Sequence, residues 1–371
     1  MRDLFESSTI NGMTLSNRFV RSATWEGMAA EDGTVTPKLI DTMVALSKGG
    51  LGLIITGHAF VRPEGRAHPR QLGVYADEFI KGLREMVDAV HDSGGKIVIQ
   101  ISHAGRFAAK RLMGCPPMVV SNYEGLAQWP VHEMTKEDIQ DLPVAFADGA
   151  SRAKAAGFDG VQIHSAHGYL LSQFLSPLFN RRQDEYGGDI RNRSRIHLEI
   201  YQAIRRAVGQ DFPVFIKMNC RDFVEDGLDL EDSLQVGRML AEAGLDALEL
   251  SGGLLTGGRL APSRPGLRPE QKEAYFLEDA RAFQQEINIP LILVGGFRSF
   301  DVAERLIQDE TADYISLCRP LIREPALIKR WQSGDRRKSG CISDNLCFKQ
   351  GFKSQGVYCV TKEREKKKQP R

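Results

Sequence analysis

The stretch GVQIHSAH (160–167) packs Val and Ile into its first half and two histidines into its second. A short β-branched run bounded by glycine and polar residues reads as a buried strand. Seven other stretches share this build: RFVRSAT (18–24), LGLIITG (51–57), KIVIQIS (96–102), VFIKMNC (214–220), ALELSGG (247–253), LILVGG (291–296) and YISLCR (314–319). Amphipathic stretches with 3.6-type spacing lie between most of them: 79–94, 137–157, 192–209, 230–244, 277–288 and 299–310. Several close on glycine, the favoured residue just past a helix end. Eight alternating strand–helix units predict an α/β chain folded as a (β/α)8 TIM barrel, a fold that does its chemistry where the strands end.

The rest of the chain agrees with one large domain. Its 371 residues suit a barrel with insertions. A formal net charge of +1 provides no global field for nucleic acid or a membrane surface. No apolar run approaches the ~20 residues needed to span a bilayer, and MRDLFESSTINGM has no apolar core of signal-peptide length. A cytoplasmic protein is the expectation, with homo-oligomer formation left open by the sequence. We assign 1–335 to the barrel and 336–371 to a C-terminal extension, whose end KEREKKKQPR (362–371) reads as a frayed, solvated tail. LFESSTINGMTLSN (4–17) reads as a hairpin covering the barrel floor. Long connections from His103 to Met134 and from Tyr169 to Asp189, with the Gly/Pro/Ser-rich 251–266, read as rim loops that build a pocket.

Chemistry-bearing residues gather at strand ends. His164 and His167 stand three apart, with Tyr169 two further on. Two imidazoles can hydrogen-bond one oxygen that gains negative charge, and a phenol beside them can give up a proton. The plain alternative is a pair of core histidines and a packing tyrosine. A metal-dependent hydrolase would need a carboxylate beside the H-x-x-H pair. Only Glu249 ends another strand, and Leu248 and Leu250 around it suggest alternating barrel positions. Gly295 and Gly296 open a strand-to-helix turn, and the next strand ends in Cys318-Arg319. Glycines admit an anion to backbone N–H groups and arginine adds a charged fork, a phosphate-binding pattern for the last two strands of a barrel. Gln100 and Lys217 end the third and fifth strands. A buried Gln needs donors and acceptors, and a buried Lys needs an anion. A reduced flavin would satisfy both.

NRFVRSATWEGMAAEDG (17–33), IQISHAGR (99–106), IHSAHGYLLSQFLSPLFNRRQDEYGG (163–188), RNRSR (191–195), VGGFRS (294–299) and SLCRPLIREP (316–325) resemble the old yellow enzyme family of FMN-dependent ene-reductases. The resemblance runs from about Leu4 to Trp331. It implies FMN held noncovalently in the barrel mouth, with NAD(P)H as co-substrate. Ser22, Ala23, Thr24, Trp25 and Gly57 would line the flavin. Gln100 would meet its pyrimidine edge, Lys217 would sit by N1 and C2=O, and Gly295, Gly296, Phe297, Cys318 and Arg319 would hold the phosphate. His164 and His167 would grip the carbonyl oxygen of an enone-type substrate, and Tyr169 would protonate its α-carbon. The implied reaction is ping-pong reduction of the C=C bond of an α,β-unsaturated carbonyl. A same-family dehydrogenase or a reductase of bulky thioesters is the alternative, and a flavin-binding protein without turnover is another.

Three departures from the family pattern stand out. Lys217 replaces an arginine common in the family, a point charge for a planar fork. Trp25 replaces a smaller residue. Larger relatives carry a four-iron, four-sulfur cluster on four cysteines. Here the pattern is Cys341-x2-Asp344-x2-Cys347-x11-Cys359. A hard carboxylate oxygen in place of one thiolate argues against a cluster and for a vestigial segment packing as an ordinary tail.

Overall fold

The computed structural model describes residues 2–123, 130–353 and 356–368. Eight parallel strands form a closed ring: β1 (Phe19–Arg21), β2 (Leu53–Ile55), β3 (Ile97–Ser102), β4 (Gly160–Ser165), β5 (Val214–Asn219), β6 (Ala247–Ser251), β7 (Leu291–Val294) and β8 (Tyr314–Leu317). Each pairs with its sequence neighbours, β8 returns to pair with β1, and β2 pairs with β3. All eight coincide with the runs read from the sequence.

Helices α1 (Pro37–Lys48), α2 (Phe79–Asp92), α3 (Leu142–Ala155), α4 (Ile190–Val208), α5 (Leu230–Glu242), α6 (Leu277–Glu286) and α7 (Phe300–Gln308) join successive strands. Local chemistry starts several of them. Thr36, Asp189 and Asp229 each accept a backbone N–H of the first turn, a cap that stabilises a helix by ~1 kcal/mol. Helix α1 is absent from the amphipathic stretches identified above, although Thr36-Pro37 signals its start.

Alternation along the strands divides the barrel interior into two layers. The floor layer is apolar: Val20, Leu53, Ile55, Val98, Phe215, Ala247 and Ile292 pack with Tyr314. The antiparallel hairpin Ser8–Ile10/Met13–Leu15 closes it from below by inserting Ile10, Met13 and Leu15, as the sequence led us to expect. Two residues further along the strands, the same inward positions hold Ser22, Gln100, Gln162, Lys217, Glu249 and Ser316, all buried. Successive side chains on a strand alternate between faces, so this polar layer lies directly above the apolar one and forms the floor of the mouth.

The rim loops are more structured than expected. The 103–134 connection contains a helical turn at Lys110–Met113, and the 169–189 connection opens with a helix at Leu170–Leu175. Residues 124–129 of the first lie outside the described residues. The expected frayed tail is helical over Val360–Lys368, and Arg323 pairs with Glu365 there at 2.5 Å. Its last residues, 369–371, lie outside the described residues. Among the described residues no helix is long and apolar enough to cross a membrane.

Candidate active site

A cavity of about 520 Å³ opens at the C-terminal end of the barrel, within the ~300–1,000 Å³ usual for ligand pockets. Ser22, Ala23, Thr24, Trp25, Gln100, His164, His167, Tyr169, Lys217, Gly296, Phe297, Cys318 and Arg319 all line it. Gly57 and Gly295 do not. The Gly57 N–H donates to Glu26 Oε1 at 3.1 Å, and a Cβ there would strike the Glu26 carboxylate. Gly57 is therefore a packing glycine beneath the Arg21–Glu26 ion pair, which closes at 2.6 Å.

The histidine pair is assembled by a sharp turn at the end of β4. His167 takes a left-handed backbone (φ 65°) and Gly168 follows at φ 85°. A non-glycine residue there is strained and must be held by its surroundings. Two bonds hold it: the His167 N–H donates to Asn219 Oδ1 at 3.1 Å, and its Nε2 meets Ser251 Oγ at 2.7 Å. The His164 and His167 rings then stand edge to face with centroids 5.4 Å apart. Tyr169 lies edge-on to His164 at 4.8 Å.

His58 and His68 also line this wall, and the sequence reading missed both. The Tyr169 hydroxyl lies 3.4 Å from Nε2 of each. Gln71 Nε2 holds His58 Nδ1 at 2.8 Å. His58 follows β2, so the strand-end rule that selected the other candidates would have found it; His68 comes from a loop and left no signal. Burial keeps these rings neutral. It lowers His58 to about 3 and His68 to about 4. Burial, then the neighbouring imidazoles and Lys217, hold His164 and His167 well below the usual range. Burial pushes the Tyr169 phenol up. The wall thus presents neutral imidazoles and a protonated phenol, hydrogen-bond partners for a developing oxyanion and a proton source.

Lys217 already has an anionic partner within the protein. Its Nζ lies 3.1 Å from Glu249 Oε1 and donates to Ser22 Oγ at 2.8 Å. The sequence reading set Glu249 aside because leucines flank it. Those leucines face the helices, and the same alternation turns Glu249 inward beside Lys217, its partner in the β5–β6 register.

The fit to FMN can be judged at two places. Across the mouth, Gly296 is left-handed (φ 80°), and a Cβ there would lie 2.4 Å from Leu267 Cδ1. The backbone N–H groups of Gly296 and Phe297 donate to no described residue, so they are free for an anion beside Arg319. On the histidine wall, His164 Nδ1 is buried without a partner, and unpaired buried polar groups call for an explanation such as a ligand. The donor set fits the phosphate and ring of FMN.

The C-terminal extension is part of the site rather than a tail. Ser343, Asn345, Phe348 and Phe352 line the cavity. Asn345 is left-handed (φ 58°); its Oδ1 accepts from Arg319 Nη1 at 2.7 Å and its Nδ2 donates to Ser263 O at 2.8 Å. The Val357 N–H donates to Glu26 O at 2.8 Å. Cys341 and Cys347 are buried, and burial pushes the Cys347 thiol up to about 12. Cys359 Sγ accepts from the Lys362 N–H at 3.4 Å, and Asp344 from the Thr361 hydroxyl at 2.7 Å. No group of three or more His, Cys, Asp or Glu side chains is arranged to hold a metal ion among the described residues. The sequence reading named neither Phe348 nor Phe352, because the cysteine spacing drew it away from this wall.

A closed barrel whose mouth holds a cavity, backbone N–H groups free for an anion beside Arg319 and a histidine–tyrosine wall has the build of a (β/α)8 barrel with its chemistry at the strand ends. Comparison with known proteins makes this particular. Residues 3–338 match the model of the NADH:flavin oxidoreductase / NADH oxidase family. The chain is 37% identical to an NADH oxidase of Thermoanaerobacter brockii over 93% of its own length and 53% of the relative's. It is 36% identical to an NADPH dehydrogenase of Halalkalibacterium halodurans over 87% of its length and 91% of the relative's. The structure of a 2-naphthoyl-CoA reductase complex superposes with a TM-score of 0.89 at 25% identity, covering 96% of this chain and 56% of the other. An old yellow enzyme homologue from Zymomonas mobilis shares the fold at a TM-score of 0.79 and 23% identity, covering 97% of this chain and 98% of the other. The chain belongs to the NADH:flavin oxidoreductase / NADH oxidase family, the old yellow enzyme family. It spans about half the length of the larger relatives it matches.

Proposed function

We propose that the chain is an FMN-dependent oxidoreductase that uses NAD(P)H to reduce the C=C bond of α,β-unsaturated carbonyl compounds. One observation carries the reading: the His164/His167 pair and the Tyr169 hydroxyl share one wall of a cavity whose opposite end holds free backbone N–H groups beside Arg319. When bound, FMN supplies the hydride chemistry. The residues supply the rest. His164 and His167 hold the substrate's carbonyl oxygen, so the β-carbon becomes electrophilic and the charge growing on oxygen is stabilised. Tyr169, held between His58 and His68, gives its proton to the α-carbon. Nicotinamide and alkene take turns in the same mouth, the basis of a ping-pong order.

Purified protein should be yellow and release FMN on denaturation. Protein reduced with NAD(P)H under anaerobic conditions should be reoxidised by cyclohexenone in a single turnover. Release of no FMN, or reoxidation by oxygen but by no enone, would overturn the assignment.

A reductase of aryl thioesters is a second reading. The superposition with 2-naphthoyl-CoA reductase favours it, as does the aromatic rim formed by Trp25, His68 and Phe352. The same single-turnover experiment with an aryl-CoA thioester separates the two.

A further inference from the structure

We propose that Glu249, which does not line the cavity, is a positioning residue that sets the hydrogen-bond pattern shown to the cofactor ring and offsets the charge of Lys217. This rests on the FMN reading above.

The argument is one of counting donors and acceptors. Glu249 is fully buried, and both its oxygens are engaged. Oε1 accepts from Ser22 Oγ at 2.7 Å and Ser316 Oγ at 2.9 Å, with Lys217 Nζ at 3.1 Å. Oε2 accepts from Gln162 Nε2 at 2.9 Å. A carboxylate only accepts, so its Gln162 partner must present the NH2 end of its amide. The Gln162 carbonyl oxygen therefore points the other way, where it accepts from Gln100 Nε2 at 2.7 Å. Gln100 lines the cavity, and it is left with Oε1 as an acceptor and the second hydrogen of its Nε2 as a donor. The second branch runs through Lys217. An ammonium has three hydrogens. One goes to Ser22 and one to Glu249, which leaves one for the cavity.

Glu249 thus fixes two amides and one ammonium at once. The cavity floor shows an acceptor and a donor on Gln100 and one donor on Lys217. That set complements a heterocycle edge carrying an N–H beside C=O groups, the edge of a flavin pyrimidine ring. The carboxylate also places a full negative charge against Lys217, so the cofactor meets a lysine whose field is partly cancelled. Interactions between buried charges are weakly screened. The pairing therefore bears on how readily a bound flavin accepts electrons.

The test compares wild type with Glu249→Gln, using apoprotein titrated with FMN and holoprotein equilibrated anaerobically with a redox dye. A neutral amide keeps the volume but can turn either end to Gln162. FMN should bind roughly tenfold or more weakly, as expected for loss of a charge-assisted network. With Lys217 uncompensated, the reduced-to-oxidised FMN ratio at a fixed dye ratio should rise about tenfold. Glu249→Asp should recover part of both changes. Gln162→Met breaks only the amide branch, so it should weaken FMN binding and leave the redox ratio in place; it serves as the test if Glu249→Gln does not fold. Wild-type FMN affinity in both Glu249→Gln and Gln162→Met, or an unchanged or lowered redox ratio in Glu249→Gln, overturns the proposal. Wild-type protein that takes up no FMN overturns the cofactor reading and this inference with it.

Discussion

Phe352 and Trp25 meet with ring centroids 4.7 Å apart, one from the C-terminal extension and one from the loop after the first barrel strand. His68 completes the group, 4.6 Å from Trp25 and 5.4 Å from Phe352. Trp25 is buried, whereas Phe352 is 58% exposed. An exposed aromatic ring beside a cavity mouth is a ready contact for a flat apolar ligand.

Phe352→Ala should therefore weaken flat ligands while sparing the cofactor. Losing one aromatic pair costs ~0.5–1.5 kcal/mol. The dissociation constant of a phenol, read from its perturbation of the flavin spectrum, should rise several-fold with FMN content unchanged. Unchanged phenol affinity would remove Phe352 from the substrate pocket.

Ser251→Ala tests how the histidine pair is held. Ser251 Oγ is the hydrogen-bond partner of His167 Nε2, and the left-handed backbone of His167 gives the ring no intrinsic reason to stay in place. Loss of this bond should cost ~1 kcal/mol of ligand orientation. The KM for an enone should rise about fivefold, and the rate of flavin reduction by nicotinamide should change little. A loss confined to the nicotinamide step would contradict the role of His167 as a carbonyl ligand.

The strands were legible because a parallel barrel buries both faces of each one, leaving short β-branched runs that no surface strand imitates. The strand-end rule then found His164, Lys217, Gln100 and Arg319. Glu249 was noticed only as a metal-ligand candidate: the alternation of Leu248 and Leu250 around it was read, but period two also turns Glu249 inward, beside Lys217. Phe348 and Phe352 were not legible because their place in the site depends on Asn345 reaching Arg319 and Ser263, a tertiary contact that no local pattern encodes. Gly57 lies outside the cavity lining, and a glycine packed against Glu26 looks in sequence like one that admits a ligand.

Buried neutral histidines should make the protein acid-sensitive. Burial lowers His103 and His197 to about 3, alongside His58 and His68. Below about pH 6.5 an unfolded histidine binds a proton that these folded ones refuse. Stability is thus full above that pH and falls as the pH drops toward the folded values. Each such histidine contributes a slope of about 1.4 kcal/mol per pH unit within that window. His197, away from the cavity and bonded to Ser165 Oγ at 2.7 Å, is the clean test. His197→Gln should reduce the slope of unfolding free energy between pH 6 and 5 by about one proton, measured by urea titration. An unchanged slope would show that His197 is protonated in the folded state.

Tyr169→Phe bears most directly on the chemistry. Among the described residues the hydroxyl has only His58 and His68 as partners, at 3.4 Å each, long distances that leave its proton available to a ligand. Burial raises its pKa above the usual value, so the phenol stays protonated across the neutral and mildly alkaline range and can act only as an acid there. The alkene half-reaction, followed by stopped-flow reoxidation of reduced enzyme, should slow by ~10²-fold or more, the usual value of a placed general acid. Flavin reduction by nicotinamide transfers no proton to carbon and should hold within about twofold of wild type. In the wild type, the alkene step should show no loss of rate up to about pH 9, because a raised phenol pKa retains the proton there. Equal losses in both half-reactions, or an alkaline fall in the wild-type alkene step below pH 9, would assign the proton to another group.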